Sequence, residues 1–332
     1  MSYIIVVNPA ILSTPGTGMN FNGALTATVL LSFSMTLLMG LYAKLPYAVA
    51  PAMGINAFFT FGLVLGEQIP WQVALGLVFW AGVIFLLISM TQLRELTVKA
   101  LPRNLKLGAT VGIGLFLSFI GLKNAGLIVS DPATFVRMGE IRGTARLAFL
   151  GLLVILPLMA RKKPWAFLAG IAVVTGAALS LGHISLPPSY VSPPDFESVF
   201  LKLDVLGALR LSLVPAILAI VFTDLFDSLS TFVGVAKAGH LMDEKGDPKN
   251  LKQGLIVDSI ATFAAGLLGT SSGTAFIESA AGIEAGARTG LASVFTAFCF
   301  LPFLFLSPLL GMIPGYATAP VLICGGLLVL RR

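Results

Sequence analysis

Residues 45–62 read LPYAVAPAMGINAFFTFG and residues 269–286 read GTSSGTAFIESAAGIEAG. Both stretches are apolar, rich in small residues and interrupted by Pro or Gly. Each sets a polar or acidic group, Asn56 or Glu278, where the break passes into a short helix. They also occupy matching places, each opening the third apolar span of its half of the chain. Matching interrupted segments in two halves point to a transporter with its binding site at a repeat interface, and an odd number of spans per half makes the repeats inverted. Gly and Pro that merely permit close helix packing would give a similar composition. The polar group at each break favours the first reading.

The rest of the chain supports a membrane setting. Of 332 residues, 57% are hydrophobic and 11% charged, with a mean hydropathy of +0.95, against roughly 25% charged residues in an ordinary soluble domain. Apolar runs fall at 3–12, 24–42, 48–65, 71–90, 105–122, 147–159, 165–181, 209–235, 255–268, 272–287, 291–310 and 319–330. A run of about 20 residues crosses a bilayer as a helix. The fold class is therefore an all-α polytopic membrane protein with about 12 segments, several of them too short or too rich in Gly and Pro for simple spans. Residues 1–184 read as a first repeat, 185–208 as a polar linker with Pro187, Pro188, Pro193 and Pro194, and 209–332 as a second repeat.

With the first span running outward, the inner loops hold Lys44, Arg94, Lys99, Arg103, Lys106, Arg161, Lys162, Lys163, Lys237, Lys245, Lys249, Lys252, Arg288, Arg331 and Arg332. The outer loops hold only Lys123, Arg137, Arg142, Arg146, Lys202 and Arg210. That bias predicts a multi-pass protein of the cytoplasmic membrane with its N-terminus inside. It also accounts for the net charge of +6 without nucleic acid, since the basic residues are not interleaved with exposed aromatics. Cys299 and Cys324 lie inside apolar runs and read as packing residues; His183 and His240 lie at loops and do not read as ligands. The spacing suggests no metal or cofactor. Asn8-Pro9 interrupts the first run, unlike a secretory signal. The abrupt ends suggest a fragment or a shortened gene product.

Ionisable residues inside spans are costly and mark function. Here they are Asp224 and Asp227 in FTDLFDSLSTF, Asp258 in LIVDSIATF, and Glu278 and Glu284 in AFIESAAGIEAG. Asp224 and Asp227 lie three apart on one helix face, and two close carboxylates in a low dielectric do not ionise equally, which suits proton coupling. Asp258 is placed to orient the second broken segment through its backbone or the hydroxyls of Thr270, Ser271 or Ser272. Glu284 and Arg288 have the spacing of an i,i+4 pair. Asn56 offers both a donor and an acceptor, and Phe58, Phe59 and Phe276 offer faces for stacking, though each reads equally as a core or lipid-facing aromatic.

The blocks YIIVVNPAIL (3–12), APAMGINAFFTFG (50–62), DLFDSLSTFVGVAKAG (224–239), LLGTSSGTAFIESAAGIEAGARTGL (267–291) and SPLLGMIPGYATAPVLI (307–323) resemble the AzgA-like hypoxanthine, adenine and guanine permeases of the nucleobase:cation symporters. The resemblance implies an inverted-repeat transporter of the uracil-permease type. It would have two repeats of seven membrane segments, short strands in the third and tenth, and interleaved core and gate domains, the last segments being missing here. It implies proton symport of purine bases, no enzymatic activity and a possible homodimer in the lipid. By match to the motifs it makes Asn56 of GxNA, Asp224 of DLFD and Glu278 of IESAAG the base-binding residues, with Gly54 and Phe276 beside them, and Asp227 essential to transport. Ser228 stands where the family usually has Thr. Uracil or xanthine remains open as substrate, as does a permease remnant that binds without transporting. An inorganic anion is disfavoured by the three carboxylates, and an intramembrane aspartyl hydrolase by a pair of aspartates on one helix.

Overall fold

The computed structural model describes residues 1–91, 103–161, 163–239, 241–243 and 248–330. Arg94, Lys99, Lys162, Lys245, Arg331 and Arg332, which entered the charge reading, and His240, which does not read as a ligand, lie outside the described residues. In the first half the helices are α1 (Ile4–Leu12), α2 (Phe21–Leu38), α3 (Met53–Ala57), α4 (Trp71–Met90), α5 (Arg103–Asn124), α6 (Thr144–Ala160) and α7 (Ala166–Ser180). After them come α8 (Val214–Gly239), α9 (Leu251–Leu268), α10 (Ser279–Glu284), α11 (Leu291–Phe300), α12 (Ser307–Gly311) and α13 (Gly315–Leu330). Four strands are short: β1 (Val49–Pro51), β2 (Ile128–Asp131), β3 (Phe135–Met138) and β4 (Gly273–Ala275).

Among the described residues four helical stretches are long and apolar enough to cross a membrane, namely Phe21–Ala43, Trp71–Met90, Leu211–Lys237 and Leu251–Leu268, and six apolar helices are shorter. All twelve apolar runs fall on helices or on strand–helix pairs, and the two runs expected to be broken are the ones that carry β1 and β4. Two wide turns extend helices beyond their α-helical part: Met39–Ala43 continues α2, and Phe58–Val64 continues α3. Such π-type segments cluster at functional sites. The β2–β3 hairpin was not foreseen, because its signal is a local turn in which the Asp131 carboxylate accepts the N–H groups of Ala133 and Thr134 at 2.9 and 3.0 Å, rather than hydrophobic alternation.

The described elements group into two compact units. One gathers α1–α4, β1, α8–α11 and β4; the other gathers α5–α7, β2, β3, α12 and α13. Each draws on both halves of the chain. The first has a core of Leu12, Leu31, Phe59, Leu63, Leu75 and Val78, and a second cluster in which the rings of Tyr47 and Phe232 lie 5.1 Å apart. Part of the Pro-rich stretch packs into this unit: Val199 is buried, and the Trp80 indole N–H donates to the Val205 carbonyl at 3.0 Å. The second unit centres on Leu147, Val174, Ala178 and Ala317.

Small residues set the helix spacing, as membrane interiors require. A Cβ added to Gly82 on α4 would lie 2.3 Å from the Phe263 backbone nitrogen on α9, so only Gly allows this crossing. Large apolar side chains on α11, Phe295 and Phe298, are exposed, as a lipid-facing surface demands. Cys299 shares that exposure and is not a packing residue, which corrects the sequence reading; Cys324 is buried as expected. We expect Gly82→Leu to destabilise the protein by about 1–3 kcal/mol through overpacking, whereas Gly112→Ala, in a helix interior with open space around it, does not lower the melting midpoint of the detergent-solubilised protein.

Candidate functional site

The two interrupted stretches meet. β1 and β4 pair antiparallel with Val49 opposite Ala275, Ala50 opposite Thr274 and Pro51 opposite Gly273. The ribbon is extended by Ala52 N–H donating to Ser272 O at 2.8 Å and Phe276 N–H donating to Ala48 O at 3.0 Å. Pro51 is tolerated because a two-stranded ribbon has an outer edge on which no donor is needed. The remaining backbone groups are buried and cannot be left to hydrocarbon.

Side chains take them up. The Thr36 hydroxyl on α2 accepts from Val49 N–H at 2.9 Å and donates to Val49 O at 3.0 Å. On α9 the Asp258 carboxylate accepts from Ala275 N–H at 3.1 Å and from the Thr274 hydroxyl at 3.3 Å, and Thr262 Oγ1 lies 3.2 Å from Gly273 O. The Ser279 hydroxyl accepts from Ala48 N–H at 3.0 Å. Asp258 therefore does hold the second broken segment, but through Thr274 and Ala275 rather than the expected Thr270, Ser271 or Ser272. The two residues it holds are on the strand itself, whereas 270–272 precede it.

The site residues named from the sequence stand around this ribbon. Asn56, fully buried in α3, donates through Nδ2 to the Asn8 carbonyl at 3.4 Å, and its Oδ1 has no hydrogen-bond partner. Gly54 lies half-buried two residues before it. Asp224, fully buried on α8, is hydrogen-bonded to the Thr262 hydroxyl. Asp227, one turn on, is only half-buried, so the two carboxylates sit in different environments. Ser228 Oγ and Thr274 Oγ1 are 3.1 Å apart.

Glu278 occupies the N-cap position of α10, half-buried, and accepts a 2.5 Å hydrogen bond from the Tyr3 hydroxyl. Phe276 is buried at the end of β4. Phe59 is not available for stacking: it lies in the apolar core, and Phe58 packs against the same core. Glu284 and Arg288 do not form the expected i,i+4 pair, because α10 ends at Glu284 and the Arg288 guanidinium donates to the Gly239 carbonyl at 2.8 Å.

Sequence reasoning missed Asn8, Thr28, Thr262 and Tyr3, all of which bond to the site or its scaffold. A signal was present for Asn8, an amide inside an apolar run. Hydroxyls such as Thr262 give none, since Thr is common in such spans and normally returns its proton to its own helix.

In chemical terms the cluster is rich in acceptors. Asn56 Oδ1 and the carboxylates of Asp224 and Glu278 are gathered on the two broken segments and on α8, the helix that packs against them. Two ion pairs, Arg137–Asp131 and Arg142–Glu140, lie at the β2–β3 hairpin and the loop after it. Such a site suits a ligand that presents N–H donors and disfavours an anion.

Comparison with known proteins agrees on family and fold. The adenine permease AdeP of Escherichia coli is 41% identical over 330 residues, spanning 99% of this chain and 74% of AdeP. The guanine/hypoxanthine permease PbuO of Bacillus subtilis is 38% identical over 339 residues, spanning 99% of this chain and 78% of PbuO. In fold, the transmembrane domain of the cyanobacterial bicarbonate transporter BicA superposes with a TM-score of 0.73 at 19% identity, covering 99% of this chain and 87% of that one. The fold is thus the inverted-repeat transporter fold, in an integral membrane protein. With residues 1–331 matched by the Permease family, the chain belongs to that family, among relatives that include adenine and guanine/hypoxanthine permeases.

Proposed function

We propose that this chain carries purine nucleobases across the cytoplasmic membrane in symport with protons. The observation that carries the reading is the acceptor cluster itself: Asn56 Oδ1, buried without a partner, on one broken segment, Glu278 on the other, and Asp224 beside them. Purines present ring N–H and exocyclic amino donors in one plane, which these acceptors complement. Relatives named as adenine and guanine/hypoxanthine permeases support the same substrate class.

Proton coupling is supported by the hydrogen bonds around Thr262. Its hydroxyl has one proton and faces three oxygens, those of the Asp224 carboxyl, the Asp258 carbonyl and the Gly273 carbonyl. A protonated Asp224 donates to Thr262 and leaves the Thr262 proton for the β4 carbonyl. An ionised Asp224 draws that proton to itself. The protonation state of Asp224 is thereby felt by the strand next to the bound base, and Asp227 serves as the half-exposed relay. Movement of the unit bearing the site, alternately opening it to each side, then carries base and proton together. The N-terminus lies in the cytoplasm on this reading, as the loop charges require.

Three outcomes test it. In cells lacking their own purine permeases, labelled adenine and hypoxanthine are taken up by the wild type and uptake collapses with an uncoupler; uptake that persists without a proton gradient contradicts symport. Glu278→Gln lowers kcat/KM at least about 100-fold, since the charge-assisted hydrogen bond from the base to Glu278 is lost, with unchanged amounts of protein in the membrane. Asp258→Ala acts on the scaffold and lowers the stability of the purified protein by about 1–3 kcal/mol by leaving the Ala275 N–H unpaired, an effect a thermal unfolding series reads directly.

A further inference from the structure

Asn8 lies in the middle of α1, fully buried, and makes four hydrogen bonds to other elements. Its Nδ2 donates to Thr28 Oγ1 on α2 at 2.7 Å and to Thr270 Oγ1, just before β4, at 2.9 Å. Its Oδ1 accepts from the Ser271 hydroxyl at 3.4 Å, and its backbone carbonyl accepts from Asn56 Nδ2 at 3.4 Å. One residue therefore touches the second broken segment with its side chain and the ligand-facing amide of the first with its main chain.

The orientation of the Asn8 amide is fixed by its surroundings. The Thr28 hydroxyl gives its proton to Ala24 O of its own helix at 2.6 Å, so toward Asn8 it offers only a lone pair and needs a donor. Nδ2 must face it, which turns Oδ1 toward Ser271. The same logic passes to Asn56. Because one Nδ2 proton of Asn56 goes to the Asn8 carbonyl, that end of the amide is held toward α1, and the unpartnered Oδ1 is turned the other way, where it can accept from a ligand.

We propose that Asn8 is a positioning residue that clamps the two broken segments to each other and sets which end of the Asn56 amide faces the bound base. The substrate side of this inference rests on the purine reading above; the clamp itself does not. Asn8→Asp is the sharpest change, being nearly isosteric while setting an acceptor against the Thr28 lone pair. Thr28→Val removes the same contact from the other side.

The test pairs hydrogen–deuterium exchange of the purified proteins with purine uptake. The clamp predicts that Asn8→Asp speeds amide exchange in both 52–57 and 270–275. It also predicts a purine KM raised by about tenfold, the scale of one lost hydrogen bond, with Vmax per molecule in the membrane within about twofold. Faster exchange confined to α1, or a lower amount of folded protein with KM unchanged, overturns it. If Asn8→Asp fails to insert, Thr28→Val is judged by the same criteria. If the wild type takes up no purine, the substrate reading fails, and the exchange pattern alone decides the clamp.

Discussion

A two-stranded ribbon buried in an apolar interior is the constraint on which this structure turns. Each strand has an outer edge whose N–H and C=O groups its partner does not take, and in a membrane protein water is not there to take them. The chain meets this with Thr36 on α2 and with Asp258 and Thr262 on α9. Those helices must therefore lie against the ribbon at a fixed height. Gly82 lets α4 approach α9 to backbone contact from the other side. The placement of the long helices is in this sense subordinate to satisfying three residues of β1 and three of β4.

The same constraint explains why the site sits where it does. Where an extended segment passes into a short helix, a side chain can stand beside the ribbon without being used in the ribbon's own hydrogen bonds. Asn56 and Glu278 occupy such junctions, one from each half of the chain. Asp224 comes from a third element, α8, and is tied to the ribbon by Thr262, which bonds both the carboxyl and the β4 edge. Asp224, proposed for the site, and the ribbon scaffold thus share hydrogen bonds through Thr262.

Much of this was legible in the sequence because broken apolar segments and intramembrane carboxylates are rare enough to be signals. The pairing of the two halves through 45–62 and 269–286, and the burial of Asn56, Asp224 and Asp258, follow from that rarity. What was not legible depends on three-dimensional partners. Asp258 was expected to serve hydroxyls before the strand and instead serves the strand, a difference of a few residues that no periodicity reports. Phe59 and Phe276 look alike in sequence and both are buried, Phe59 in the apolar core of the first unit and Phe276 directly after β4. Glu284 and Arg288 have the spacing of a helical pair in a helix that stops too soon. Asn8 was passed over because an uncharged amide in an apolar run attracts less notice than a carboxylate, although its hydrogen-bonding demand when buried is just as strict.

Equilibrium binding of labelled adenine and hypoxanthine to the purified protein in lipid nanodiscs, wild type beside Asn56→Leu, tests the central claim most directly. The account predicts saturable binding to the wild type, unaffected by bicarbonate or uracil in excess and lost in Asn56→Leu at undiminished thermal stability. Binding of equal strength in the two proteins, or competition by an anion, would contradict a purine site built from the acceptors of the two broken segments.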